Sequence, residues 1–298
     1  MKVFVTGASG FVGTAVVQEL LKAGHQVLGL ARSAASAAKL QAAGAGVHHG
    51  DLEDLDSLHK GAAESDGVIH CGFIHDFGRF AEVCAIDERA IATMANVLAG
   101  SDRPLIVTSG TALVSPGSLA TEDMPSPFNP AWPRASERAA EAAMAAGVNA
   151  SIIRLPPSVH GEGDHHGFIP ILVNTAREKG FSAYIGEGEN RWNAGHRLDA
   201  ALLYRIALEQ AVPGDRFHAN TEEGITVKRI AEAIGAQLNL PVRSISAEEA
   251  EGHFGWFAHM AAIDCPSSSQ WTQGQLHWHP THALLLADIE DGVYTRQK

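Results

Sequence analysis

The sequence predicts an α/β protein, a doubly wound parallel sheet with helices on both faces and a smaller C-terminal lobe. Three observations carry this expectation. Strand-like and helix-like patterns alternate through about residue 160, as in a parallel sheet whose crossovers are helices. The chain opens on a strand, a glycine-rich turn and a helix, "KVFVTGASGFVGTAVVQELLKAG". Beyond residue 160 the alternation gives way to an irregular, aromatic pattern. With 298 residues and 45% hydrophobic content, the chain can bury one large core and a smaller appendage.

The first element reads as an alternating β run from Val3 to Thr6, broken at Gly7 and resumed as a helix from Phe11 to about Leu21. Gly7 permits the tight turn, Gly10 lets the backbone approach a pyrophosphate, and Gly13 lets the helix pack closely on the strand. The helix N-terminus offers unpaired N–H groups and a positive dipole end to phosphates. This strand–glycine–helix order points to a dinucleotide. The second strand, "HQVLGLARS", ends at Ala31, Arg32 and Ser33. An acidic residue there would hold the 2′-hydroxyl of NAD, whereas Arg32 supplies a planar donor fork and Ser33 a hydroxyl, a match to the 2′-phosphate of NADP. NADP(H) is the expected cofactor. Farther on, Pro125, Pro127, Pro130 and Pro133 in "PSPFNPAWP" hold an extended loop. A run of strong helix formers, "RASERAAEAAMAAG", then ends at Gly147, a suitable C-terminal cap.

Composition narrows the functional classes. A net charge of −12 opposes unaided binding to nucleic acid or to an anionic membrane surface, both of which need a basic patch. No run approaches the roughly 18–20 apolar residues of a membrane span, and the opening residues read as strand and turn rather than a leader. A cytoplasmic location is expected. Cys71, Cys84 and Cys265 lack CxxC spacing and read as reduced thiols. "HGEGDHH" and "HWHPTH" have neither HExxH spacing nor a cysteine partner, so no metal is expected.

After the opening motif come "GDLED", "DGVIHCGF", "RLPPSVHGEGD", "HRLDAALLYRIALE" and "GITVKRIAEAIGAQLNLPV". Together they make the chain resemble, almost end to end, the extended short-chain dehydrogenase/reductase family, Rossmann-fold proteins related to NAD-dependent epimerases and dehydratases. The resemblance implies a Rossmann domain over residues 1–160 and a substrate lobe over 161–298, from which a segment of about 183–212 returns to the first domain. It places Phe11 and Val12 with the three glycines at the cofactor, Asp51 and Leu52 at the adenine, Cys71 and Gly72 beneath the cofactor, and Pro157 and His160 in the loop over the nicotinamide. Asp199 takes a structural role. A small-molecule substrate between the lobes is implied, as is a homodimer built from helices flanking the sheet, one beginning near Arg134.

In that family a Tyr and a Lys, four residues apart on one helix face, exchange the proton and bind the nicotinamide ribose. This chain has neither at the expected place. Matching the downstream "AAE" puts Pro133 and Glu137 there, and shifting by one puts Arg134 and Arg138, of which Arg138 can replace the lysine's charge at the cofactor. A literal YxxxK, Tyr294 to Lys298, reads as a chance match at the chain end. In "LIVTSGTAL", Gly110 stands near the family serine, flanked by Ser109 and Thr111, either of which can orient a carbonyl as an oxyanion donor. The proton is left to water or to a histidine, His160 first, with His165 and His166 in the same loop and His75 after the fourth strand. Tyr184, Trp192 and "HFGWFAH", residues 253–259, are candidate pocket walls. The expected activity is NADP(H)-dependent reduction of a carbonyl, or oxidation of an alcohol, on a small, fairly apolar molecule. The alternative is an NADP-binding isomerase, lyase or cofactor sensor without net redox turnover.

Overall fold

Seven parallel strands form the frame of the computed structural model, which describes residues 1–130, 132–210 and 213–296. In chain order the first part runs β1 (Lys2–Thr6), α1 (Phe11–Lys22), β2 (Gln26–Ala31), α2 (Ala34–Ala42), β3 (Gly46–His49), α3 (Leu55–Ala63), β4 (Gly67–His70), α4 (Phe80–Leu98), β5 (Leu105–Gly110), α5 (Ser136–Ala145) and β6 (Ala150–Leu155). Then follow β7 (Ser158–His160), α6 (Phe168–Lys179), β8 (Ser182–Ile185), β9 (Arg191–His196), α7 (Arg197–Gln210), β10 (Arg216–His218), β11 (Glu222–Thr226) and α8 (Val227–Leu238). The chain closes with β12 (Val242–Ile245), α9 (Ala247–Phe254), α10 (Ala258–Ala262), α11 (Gln270–Leu276) and α12 (Leu285–Glu290).

The main sheet has the order β3-β2-β1-β4-β5-β6-β10, every neighbouring pair parallel. Its central strands are covered on both faces and accordingly read as apolar runs, such as Val3–Val5 in β1 and Leu105–Val107 in β5. On one face Val16, Leu20, Leu203 and Tyr204 pack α1 and α7 against the sheet. On the other, Leu58, Ile91, Met94 and Ala140 do the same for α3, α4 and α5. The strand order reverses between β1 and β4, so the carboxyl ends of these strands open the crevice in which such sheets bind ligands.

A second core belongs to the smaller lobe, around Trp192, Ile230, Ile234 and Phe257. It is framed by a three-stranded sheet, β11-β9-β7, and a β12-β8 pair. The segment that returns to the main sheet differs from the expected 183–212. β8 and β9 stay in the small sheets, and the return begins with α7 and ends with β10. The reason lies in α7, whose buried Ala200, Leu203, Tyr204 and Ala207 form one stripe that fits α1. Among the described residues no helix is long and apolar enough to cross a membrane.

Candidate active site

The turn after β1 is shaped by its glycines. Gly7 has φ +64°, and a Cβ on it would lie 2.7 Å from the backbone of Cys71 and Gly72. A Cβ on Gly13 would lie 2.0 Å from the Gly7 carbonyl oxygen. Helix α1 therefore starts flush against the turn. It has no side-chain cap and no acidic residue in its first turn, which leaves its leading N–H groups and dipole end available to an anion. Gly72 closes the cradle from β4, its α-carbon region packed against Thr6, Leu52 and Gly7. The structure thus brings together Gly7, Gly10, Gly13, Leu52, Cys71 and Gly72, and the residues fit a dinucleotide diphosphate.

At the end of β2, Arg32 is exposed. The Ser33 hydroxyl caps α2, accepting from the Ser36 N–H at 3.2 Å and donating to the Ser36 hydroxyl. Asp51 folds its carboxylate onto its own loop, accepting from the N–H groups of Glu53 and Asp54 at 2.8 and 3.0 Å. Pro157 follows the end of β6, between that strand and β7.

The start of α5 shows what replaces the expected pair. Glu137 turns to the sheet edge, where the fully buried Arg154 of β6 holds it in a two-point contact, Nε–Oε1 2.9 Å and Nη2–Oε2 2.8 Å. Its charge is neutralised away from the cradle. Arg138 points outward, half exposed, in a contact of 2.9 Å with Glu88 and over the Phe128 ring. Arg138 is therefore not the cofactor-side cation: it lies in the first turn of α5 on the outer face, whereas Arg134 precedes the helix and is not bound to that face.

Arg134 is the arginine that faces inward. Its guanidinium carbon lies 3.7 Å from the centre of the Phe73 ring, just beyond β4. Its Nε donates to the Ser136 hydroxyl at 2.7 Å, which donates to Asp87 at 2.6 Å. The other Asp87 oxygen is 3.0 Å from His70 Nε2, and His70 Nδ1 is 2.8 Å from the Thr6 hydroxyl, the residue before Gly7. The Thr6 oxygen also accepts the Gly72 N–H at 3.1 Å. One direction of donation satisfies every link: Gly72 to Thr6, Thr6 to His70, His70 to Asp87, and Arg134 through Ser136 to Asp87. Burial opposes ionisation of Asp87, but the hydrogen bond from His70, with Arg134 and Ser136, holds its carboxyl below the usual range.

The proposed polar residues divide. Ser109 is buried on β5. Its neighbour Thr108 bonds Tyr204 on the α7 side, so strand alternation turns Ser109 toward α4 and α5, the side of Arg134 and Ser136. Thr111 donates its hydroxyl at 3.0 Å to Asn193 of β9, so its proton is committed to joining the lobes. His160 is fully buried in the small sheet, with Nδ1 2.6 Å from Asp288 and its ring edge against His196. It is not placed to reach a substrate in the crevice. His165 and His166 are exposed. An aromatic line runs from Phe73 to Phe80, then Trp132 at 4.5 Å, then His259 of the small lobe at 6.3 Å. Of "HFGWFAH", Phe254 and Phe257 pack the lobe's core, whereas Trp256 is exposed. Trp192 is core, and Tyr184 carries Lys228 on its ring.

Comparison with known proteins places the fold in a family. The model of the NAD dependent epimerase/dehydratase family matches residues 3–219. The chain belongs to that family. An uncharacterized protein of Schizosaccharomyces pombe is 50% identical over 295 residues, covering 99% of this chain and all of that protein. A 2-alkyl-3-oxoalkanoate reductase of Stenotrophomonas maltophilia is 30% identical over 227 residues, 72% of this chain and 67% of the relative. Among solved structures, the dTDP-glucose 4,6-dehydratase DesIV of Streptomyces venezuelae, with NAD and TYD bound, has a TM-score of 0.77 at 18% identity, covering 98% of this chain and 96% of that one. That likeness shows the shared fold.

None of the three tyrosines lies at the start of α5, where the sequence resemblance places the family's tyrosine. Tyr204 is fully buried and bonds at 2.6 Å the Thr108 hydroxyl, whose own proton goes to the His70 carbonyl. Tyr294 accepts the Gly161 N–H at 3.3 Å inside the small lobe, and Lys298, the other end of the literal YxxxK, lies outside the described residues. His196, Asp199 and His282 have donor atoms within 4.8 Å of one another. Their hydrogen bonds explain the cluster: Asp199 accepts from the N–H groups of Thr281 and His282 and from His282 Nδ1, fastening the loop before α12. Sequence reasoning missed Asp87, Ser136 and Thr6. His70 at a strand end was visible, but its partner 17 residues later left no local signal.

Proposed function

We propose that the protein is an NADP(H)-dependent oxidoreductase that reduces the carbonyl, or oxidises the alcohol, of a small, fairly apolar molecule. The observation that carries this reading is the glycine cradle after β1, with no room for a Cβ at Gly7 or Gly13, opening beside an aromatic line at the strand ends. Gly7, Gly10, Phe11, Val12 and Gly13 would hold the diphosphate, Leu52 and the Asp51 backbone the adenine, and Cys71 and Gly72 the underside of the cofactor. When bound, the dinucleotide supplies or accepts the hydride. Arg32 would pair with the 2′-phosphate beside the α2 N-terminus, and Ser109 would donate to a substrate oxygen. Phe73, Phe80 and Trp132 exclude water and suit an apolar substrate. The reductase relative at 30% identity supports a carbonyl as the reacting group.

The outer faces of α4 and α5, with the Arg138–Glu88 pair, are the proposed homodimer surface, to be read by sedimentation, and a cytoplasmic location goes with the reading. The decisive test of activity uses NADPH deuterated at C4, pro-R and pro-S separately, with a mixed carbonyl pool and mass spectrometry. Deuterium in a protein-dependent product supports the oxidoreductase and identifies its substrate. NADPH that binds and keeps its label overturns it in favour of a role without net redox turnover.

A further inference from the structure

We propose that Arg134 is the catalytic residue standing in for the missing tyrosine, holding the substrate oxygen as it becomes an anion, with Ser136, Asp87 and His70 as the positioning residues behind it. This rests on the oxidoreductase reading above. Arg134 is close to the cradle through two independent connections. Phe73, on which it stacks, directly follows Gly72, whose backbone lies 2.7 Å from where a Gly7 Cβ would be. The chain Ser136–Asp87–His70–Thr6 also ties it to the residue before Gly7.

The guanidinium is set up to act outward. Its Nε is spent on Ser136, and one face is covered by Phe73. Among the described residues no hydrogen bond engages its Nη nitrogens, and the side chain keeps 20% exposure. The nearest carboxylate, Asp87, is 4.0 Å from Nε, with the Ser136 hydroxyl as the intermediary and His70 on its other oxygen. Asp87 thus fixes the arginine without capping the two nitrogens that form its fork.

The step balances with the groups named. The bound dinucleotide would supply a hydride to the carbonyl carbon, and the π pair of the C=O bond would move to oxygen. Arginine stays protonated throughout, so Arg134 stabilises the alkoxide by hydrogen bonds rather than by proton transfer. A water supplies the proton that completes the alcohol and leaves as hydroxide. A fixed cation held beside a developing oxyanion stabilises charge that appears only as the hydride adds, which is where such a barrier is lowered most. It also explains why Glu137 is tolerated at the lysine position, since Arg154 neutralises it.

Two measurements test the proposal. Benzoate, a planar anion that fits a guanidinium fork beside aromatic rings, is titrated by calorimetry into the NADP-loaded protein. R134Q should weaken its binding about ten- to a hundredfold, and S136A should weaken it less. The affinity for NADPH alone should stay within about twofold in both. Benzoate binding that is absent from the unsubstituted protein, or unchanged in R134Q, overturns the proposal. On the carbonyl found by deuterium transfer, R134Q should lower kcat by about 10²- to 10³-fold, with part restored by added guanidinium ion. A rise in KM for acidic substrates, with kcat for neutral ones intact, shows that Arg134 holds a remote carboxylate and overturns it. Absence of hydride transfer in the unsubstituted protein overturns the oxidoreductase reading itself, and with it the catalytic role, whatever the benzoate result.

Discussion

Replacing one glycine by alanine should have opposite effects at two helical positions. In α1, a Cβ on Gly13 would sit 2.0 Å from the Gly7 carbonyl oxygen and 2.8 Å from its carbon, whereas ordinary contact begins at 3.4 Å. The difference, 3.4 minus 2.0, requires the helix to retreat from the turn by about 1.4 Å. Overpacking of this kind costs about 1–3 kcal/mol, and the upper end applies because the obstacle is backbone in a tight turn. The gain in helix propensity offsets about 1 kcal/mol, leaving G13A about 2 kcal/mol less stable. In α9, a Cβ on Gly252 meets nothing within 4 Å, so G252A keeps the propensity term and gains about 0.5–1 kcal/mol. Denaturant unfolding reads both signs. NADPH titration by nicotinamide fluorescence then separates stability from binding, because the same displacement moves the α1 N–H groups off the phosphates. G13A should lose at least tenfold in affinity while G252A keeps it, about 1.4 kcal/mol or more. NADPH affinity that survives in G13A refutes the assignment of this turn to the diphosphate.

Other consequences are equally direct. Arg32→Asp should reverse the preference for NADPH over NADH in binding titrations, and an unchanged ratio removes Arg32 from the 2′-phosphate. Glu137→Gln strands the fully buried Arg154 without its carboxylate and should cost about 3–5 kcal/mol; a loss under 1 kcal/mol in denaturant unfolding would show that its other contacts, the Met124 carbonyl at 2.7 Å and His218 Nε2 at 3.1 Å, suffice for Arg154. Acid should destabilise the protein from pH 6.5 downward. Burial and then Arg154 hold His218 down to about 3, and burial and then His160 hold His196 down to about 4. With folded values below the unfolded value of about 6.5, the unfolded state binds more protons as pH falls. Each histidine removes up to about 1.4 kcal/mol per pH unit until its folded value is reached, so the pair should cost up to about 3 kcal/mol between pH 6.5 and 5. Flat stability across that interval contradicts the buried, neutral state of both rings.

The sequence by itself determined the α/β class, the position of α1 and the glycine turn before it. These are local properties: a glycine at positive φ, a helix that must start flush on its strand, and apolar runs buried on both faces all act within a few residues. It also showed that the family's Tyr and Lys are absent from the start of α5. Only the tertiary structure decided what stands there instead. Sequence spacing put Arg134 at the tyrosine's place and Arg138 at the lysine's and favoured Arg138 at the cofactor, whereas the packing of α5 against α4 turned Arg134 to Asp87 and Arg138 to Glu88. The same holds for His160, which lies in the loop the sequence marks but is drawn into the small sheet by Asp288, 128 residues later. Buried charges are settled by whichever partner the fold brings within hydrogen-bond reach, and a chain whose partners come from α4, α5 and α12 carries no local record of that choice.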